Sequence, residues 1–218
     1  MLAKNTSKNG LRLNLGCGTI APEGWINVDS SPNVLLAKIP LCNVIKKVLF
    51  SFNILSKEAY NAEYNPRIIF CDLTKHFPEI LPSSCGVIYT SHFLEHVLYD
   101  DCLKLLEKCY VVLSDGGILR IAVPDLFTEA KEYVERIERA KQEQREDSEA
   151  SRQFIQLLFL RTSRQAHLWM YDFFSLSLLL KQTGFVNIVQ KSFRESMIED
   201  IDLVEHRQDS LFIECRKN

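Results

Sequence analysis

The sequence predicts an α/β protein built on a doubly wound sheet, mostly parallel, with an antiparallel strand at its end. Three observations carry that prediction. Short apolar runs alternate with helical periodicities through most of the 218 residues, the pattern of parallel strands joined by helical crossovers. The middle runs, at 67–72, 86–92 and 118–124, are apolar in the way of strands buried on both faces. The last two runs, 186–193 and 209–217, have no helical crossover between them and a connection too long for a tight hairpin. One of that pair is therefore expected to run against the rest.

Taken in order, LRLNL at 11–15 alternates and stops at Gly16, which reads as a strand ending in a tight turn. WINVD at 25–29 is a second short strand, and 33–65 reads as helices interrupted at Pro40. RIIFCD at 67–72 and GVIYTSH at 86–92 are the third and fourth strands. A helix is predicted over 93–113, where Leu94, Val97, Leu98, Cys102, Leu105, Leu106, Cys109 and Leu113 recur at three- and four-residue steps. SDGG at 114–117 reads as its exit, before a fifth strand at 118–124. From Leu126 to about Arg164 the chain reads as helical, with mixed charges suited to a solvated face. An amphipathic helix at 173–185 is stopped by Gly184. The expected organisation is a single domain over 1–218 with helical inserts at about 33–65 and 127–165.

Composition narrows the function classes. At 46% hydrophobic and 25% charged, the chain reads as a soluble globular protein with a well-buried core. A net charge of −2 supplies no field for a polyanion and argues against nucleic acid as the main partner. Seven cysteines, without a CxxC pair, point to a reducing, cytoplasmic setting. MLAKNTSKNG lacks the apolar core of a signal peptide, and no run of about 18 apolar residues is long enough to be a transmembrane segment.

The chemistry concentrates in LRLNLGCGTIAPEGWINVD at 11–29. Gly16 to Ala21 satisfies G-x-G-x-x-A, the dinucleotide fingerprint. That fingerprint requires a helix to open at once toward a pyrophosphate and an acid about 20 residues on. Here Pro22, Glu23 and Gly24 supply turn chemistry, and Asp29 arrives too early for a full crossover helix. A nicotinamide dinucleotide is thereby disfavoured.

The combination of L-N-L-G-C-G (13–18) with N-V-D (27–29) instead resembles class I S-adenosylmethionine-dependent methyltransferases, more narrowly the small type 11 group. C-D-L at 71–73, S-H-F-L-E-H at 91–96, LSDGGILRIAVPDL at 113–126 and H-L-W-M-Y-D at 167–172 extend the likeness over most of the chain. Ser114 and Asp115 replace the Lys-Pro usual in that group. The resemblance implies a Rossmann-like fold, S-adenosyl-L-methionine as cofactor and a methyltransferase activity. It places Gly16, Cys17 and Gly18 against the methionine moiety, with Cys17 contributing its backbone. Asp29 would accept from both ribose hydroxyls, Asp72 from the adenine amino group, and Leu73 would offer its backbone N–H. Ser91 lies where cofactor and acceptor meet. The plainer alternatives are that Asp29 and Asp72 serve local turns, and that Glu95 and His96 sit in the first turn of a helix.

His92, Asp125 and His167 are the candidate bases, should the acceptor have to lose a proton. His167 and Tyr171, four apart, would share a face if helical. No His/Cys/Asp set has metal-ligand spacing. The first insert reads as a lid, a homodimer face, a lipid-facing patch or simply an amphipathic helix on the sheet edge. The second ends in Phe154, Ile155, Leu157, Leu158, Phe159 and Leu160, expected to pack over the site. The expected acceptor is a small polar molecule, such as a sugar or sugar nucleotide. A protein or RNA acceptor, and a catalytically silent cofactor-binding protein, are the alternatives.

Overall fold

The computed structural model describes residues 10–158 and 166–218. Its strands are β1 (Leu11–Leu15), β2 (Ile26–Asp29), β3 (Ile69–Phe70), β4 (Cys85–Ser91), β5 (Leu113–Val123), β6 (Val186–Lys191) and β7 (Leu211–Arg216). They form one sheet in the order β3-β2-β1-β4-β5-β7-β6. Every pairing from β3 to β5 is parallel, whereas β7 runs antiparallel to both of its neighbours, β5 and β6. The predicted antiparallel final strand is therefore present.

The helices are α1 (Pro32–Leu36), α2 (Cys42–Ser51), α3 (Lys57–Asn61), α4 (Tyr99–Val112), α5 (Leu126–Gln142), α6 (Ser148–Leu158) and α7 (Phe173–Gln182). Among the described residues no helix is long and apolar enough to cross a membrane. The main core forms where Leu13 and Leu15 of β1, Ile88 of β4, and Leu119 and Ile121 of β5 meet α4 and α7. On α4 the buried positions are Cys102, Leu105, Leu106, Cys109 and Val112, the face that the periodicity predicts. All seven cysteines are free thiols.

Four predicted elements differ in detail. The helix expected over 93–113 begins only at Tyr99: a 3₁₀ turn spans Leu94–His96, and Val97 and Leu98 are extended. Leu94 and Val97 are both 1% exposed and anchor that turn to the core, while Asp100 and Asp101 favour a helix N-terminus just after it. Residues 114–117 lie within β5, not in a turn before it. The third strand shortens to Ile69–Phe70, because its partner β2 is itself only four residues long. The helix expected over 126–164 divides into α5 and α6, and Asp147 accepts the Ala150 N–H at the start of α6.

The inserts pack more modestly than expected. Helices α1, α2 and α3 fill the first, interrupted at Pro40 as predicted. Lys46 turns inward and donates to the Ala62 carbonyl, so it is no surface cation. In the second insert Phe154 stacks on Tyr133 of α5, centroids 4.7 Å apart, and so its ring packs within the insert. Phe159 and Leu160 lie outside the described residues.

Candidate functional site

The loop after β1 is short because two buried amides hold it. Asn14 and Asn27 are register partners on β1 and β2, and Asn14 Nδ2 donates to Asn27 Oδ1 at 3.1 Å and to the Ile20 carbonyl at 2.9 Å. Asn27 Nδ2 in turn donates to the Pro22 and Trp25 carbonyls, each at 3.0 Å. These bonds satisfy the loop's backbone acceptors at Ile20, Pro22 and Trp25. Both asparagines belong to the L-N-L-G-C-G and N-V-D motifs, but their mutual bond is visible only once β1 and β2 pair.

The two glycines of this loop have different duties. Gly16 and Gly18 both take positive φ, 66° and 55°, where a side chain is disfavoured. A Cβ on Gly16 would lie 2.7 Å from Phe93 Cβ and Cγ, whereas a Cβ on Gly18 would meet nothing within 4 Å. Gly16 thus makes room for a neighbouring side chain, and Gly18 leaves the backbone open to an approaching ligand. Asp29 closes the site from β2. Its carboxylate accepts the Gly18 N–H at 2.8 Å and the Ser31 N–H at 2.7 Å, and a carboxylate with about four acceptor positions retains two. Tyr64, from the end of the first insert, packs against Cys17 and its group. Burial raises the Tyr64 phenol above its ordinary pKa, against a lowering hydrogen bond with Ser31, and the Asp29 charge adds to the rise.

Cys17 is buried, and its thiol is pushed up to about 12, first by burial and then by the Asp29 carboxylate. At pH 8 that leaves a thiolate fraction of about 10⁻⁴, and only the thiolate reacts. Brief alkylation of the native chain at pH 8 should therefore modify the partly exposed Cys42 while sparing Cys17. Mass spectrometry of the peptides checks this, and rapid labelling of Cys17 would mean that the loop is open.

Asp72 lies just beyond β3 and serves its own turn. Its carboxylate accepts the Thr74 N–H and hydroxyl and pairs with Lys75. Those hydrogen bonds, those with Thr74 foremost, hold its pKa below the usual carboxylate value. Leu73 beside it is buried in the main core. Asp125 caps α5, accepting from the Phe127 N–H at 3.2 Å and the Thr128 hydroxyl at 2.6 Å. Both local roles are visible in the structure.

At the end of β4, His92 follows Ser91 with a positive φ of 49°, costly for a residue with a side chain. Its N–H donates to the Ala122 carbonyl, and both ring nitrogens are engaged. Nδ1 lies 3.2 Å from Glu95 Oε1, and Nε2 lies 2.8 Å from the Ser210 hydroxyl. A carboxylate accepts from Nδ1–H, which leaves Nε2 as the basic nitrogen. Glu95 is 1% exposed in the 3₁₀ turn, so the reading that placed it in the first turn of a helix is replaced. Ser210 enters from the connection before β7, far away in sequence.

His167 and Tyr171 do not share a helix. Residues 166–170 have no regular structure, and Tyr171 forms a bridge with Asp125. The Glu95 carbonyl accepts the Leu168 and Trp169 N–H groups at 2.7 and 3.2 Å, hanging this segment on the 3₁₀ turn. His167 is thereby brought against His96, ring centroids 5.2 Å apart, rather than toward His92. Glu95, His96 and His167 each offer a ligand atom within 4.8 Å of the others, a cluster that sequence spacing did not disclose.

Gly16, Gly18, Asp29, Ser91 and Asp125 thus lie at or just beyond the carboxyl ends of β1, β2, β4 and β5, where open α/β sheets bind ligands. The chain matches no family model, and no curated protein is similar to it at a significant level. Solved structures are similar in fold. A SAM-dependent methyltransferase from Archaeoglobus fulgidus superposes with a TM-score of 0.53 at 14% identity, over 96% of this chain and 87% of that one. A SAM-dependent methyltransferase from Thermotoga maritima, described as a possible histamine N-methyltransferase, gives 0.51 at 15% identity, over 96% and 83%. Together with the strand order and the antiparallel β7, these matches show that the chain has the Rossmann-like fold of class I S-adenosylmethionine-dependent methyltransferases.

Proposed function

We propose that this chain is an S-adenosylmethionine-dependent methyltransferase acting on an oxygen or nitrogen of a small polar acceptor, of which a sugar or sugar nucleotide is the leading candidate. The observation that carries the reading is the pairing of an open Gly18 backbone with the Asp29 carboxylate at the ends of neighbouring strands. A ribose diol and a methionine backbone fit that pair. The cofactor supplies an electrophilic methyl on a sulfonium sulfur. The free acceptor positions of Asp29 hold the two ribose hydroxyls, and Gly18 lets the amino-acid end lie against the main chain. Ser91 and His92 face the acceptor side.

Positioning is the main task of such a site, a contribution that can reach roughly 7–11 kcal/mol. Where the acceptor is a hydroxyl, His92 Nε2 takes its proton, with Glu95 fixing the tautomer. Ser210, now bonded to Nε2, must yield that position or pass the proton on. Asp125 and His167 are less suited as bases, because the Asp125 carboxylate caps α5 and His167 is drawn against His96 rather than His92.

Calorimetric titration tests the cofactor assignment. Wild type should bind S-adenosylmethionine and S-adenosylhomocysteine. Asp29→Ala should bind both at least about 10- to 100-fold more weakly, since hydrogen bonds to a charged group contribute roughly 1.5–3 kcal/mol. Binding of NAD with no response to either adenosyl compound would overturn the reading.

A further inference from the structure

We propose that Glu95, His96 and His167 form a binding site for one divalent transition-metal ion of the zinc type, beside the proposed methyl-transfer site. The inference does not depend on the methyltransferase reading.

The protonation pattern of the two imidazoles is the first argument. His96 Nδ1 lies 3.1 Å from the Ala166 carbonyl, and His167 Nδ1 lies 2.7 Å from the Leu157 carbonyl. A carbonyl oxygen can only accept, so in both rings Nδ1 carries the hydrogen and Nε2 keeps its lone pair. Metal-binding histidines have this arrangement, with one nitrogen donating to a backbone carbonyl and the other on the ion. Two such rings stand next to each other, tilted by 51°.

The carboxylate is the second. Glu95 Oε1 lies 3.2 Å from His92 Nδ1 and 4.0 Å from His96 Nε2. Oε2 is buried and has no hydrogen-bond partner among the described residues. An unpaired, buried carboxylate oxygen is costly, and a cation held against it removes that cost. The His92 contact gives the ligand carboxylate a fixed orientation, with Oε1 4.0 Å from His96 Nε2 and Oε2 left free to share the ion.

Two imidazoles and one carboxylate suit zinc or a neighbouring first-row ion. Calcium and magnesium prefer oxygen-only surroundings. Ligand atoms about 2.0–2.2 Å from zinc stand roughly 3.4 Å apart in a tetrahedron, so the trio, within 4.8 Å, needs a contraction of at most about 1.4 Å. His167 is carried on a segment without regular structure, so rotation of the two imidazoles can supply it without breaking a helix or strand, and His96 is 23% exposed, which gives an ion a route in. Three protein ligands leave a fourth position open for water or for an acceptor heteroatom. The ion would also pin 166–171 to the 3₁₀ turn next to Ser91 and His92.

Cobalt(II) titration of the metal-free full chain tests this. One equivalent should bind with visible ligand-field bands and no near-ultraviolet thiolate band, and zinc should displace it. His96→Ala and His167→Ala should each weaken binding more than about 100-fold, beyond the 10–100-fold typical of losing an outer partner. His206→Ala, an exposed histidine outside the cluster, should leave binding intact. Substoichiometric binding, a thiolate band, or wild-type affinity in both cluster variants would overturn the proposal. Nitrogen-15 spectroscopy of the wild type guards against variants that fail to fold. Zinc should shift Nε2 of two histidines and leave His206 unmoved, and no such pair of shifts would also overturn it.

Discussion

Replacing Arg120 with alanine is expected to cost about 3–5 kcal/mol of folding stability, the range for breaking a buried ion pair by removing one partner. Arg120 is wholly buried in β5. It donates to both carboxylate oxygens of Glu205 at 3.0 Å and to the Glu195 and Ser192 carbonyls at 3.0 Å. Its guanidinium also lies over the Phe212 ring, 5.0 Å from the centroid. Alanine would strand the buried Glu205 charge and release two backbone acceptors of the long β6–β7 connection. Urea unfolding followed by circular dichroism measures the loss. The paired change Arg120→Met with Glu205→Leu should recover part of it, because the Glu205 charge is then removed and only Glu214, 3.8 Å from Arg120 Nη1 and bonded to the Ser196 hydroxyl and the Met197 N–H, loses its cation. A loss below about 1 kcal/mol in the single variant would mean that water reaches this pair.

The second large effect separates two glycines that look alike in sequence. Gly16→Ala should destabilise the fold by roughly 2–5 kcal/mol, combining left-handed backbone strain of about 1–2 with overpacking of about 1–3. The overpacking follows from the Phe93 side chain, 2.7 Å from where the new methyl would sit. Gly18→Ala should cost only the strain, yet abolish most cofactor binding, because its methyl would project into the open space assigned to the ligand. Denaturation midpoints and calorimetric titration of both variants distinguish the two. In a Phe93→Gly background, which removes the Cβ as well as the ring, the Gly16→Ala penalty should shrink toward that of Gly18→Ala. Equal penalties in all three cases would show that the loop relaxes around the added carbon.

Much of the architecture was legible because local signals agreed with it. Gly16 after LRLNL, the buried run before His92, and the missing crossover before 209–217 each state a strand and its direction. The helix periodicity through Leu94 and Val97 misled for a physical reason: both residues are buried, but as anchors of a 3₁₀ turn and not of a helix face. Within the candidate site, residue type at strand ends led to Gly18 and Asp29, which the fold places side by side. Asp72 and Asp125 carried the same signal, and all three aspartates accept the backbone N–H two residues on. What spacing could not reveal is long-range juxtaposition. Ser210 meets His92 across 118 positions, and His96 meets the carbonyl of Ala166 across 70. Those contacts exist only once the sheet order has formed.

That order also has a temporal side. Among the described residues β6 pairs with β7 alone, and β7 occupies the place between β6 and β5. On a ribosome β6 emerges first and has no partner to receive it. At about 5–20 residues per second the wait is on the order of seconds, during which its peptide groups face solvent or a chaperone. When β7 threads into the gap it joins β6 to the growing sheet and carries Ser210 to His92 in the same event. Vectorial synthesis thus leaves the imidazole without its hydroxyl partner until this strand arrives, and the carboxyl end of β4 gains that contact only after β6 and its connection have been made.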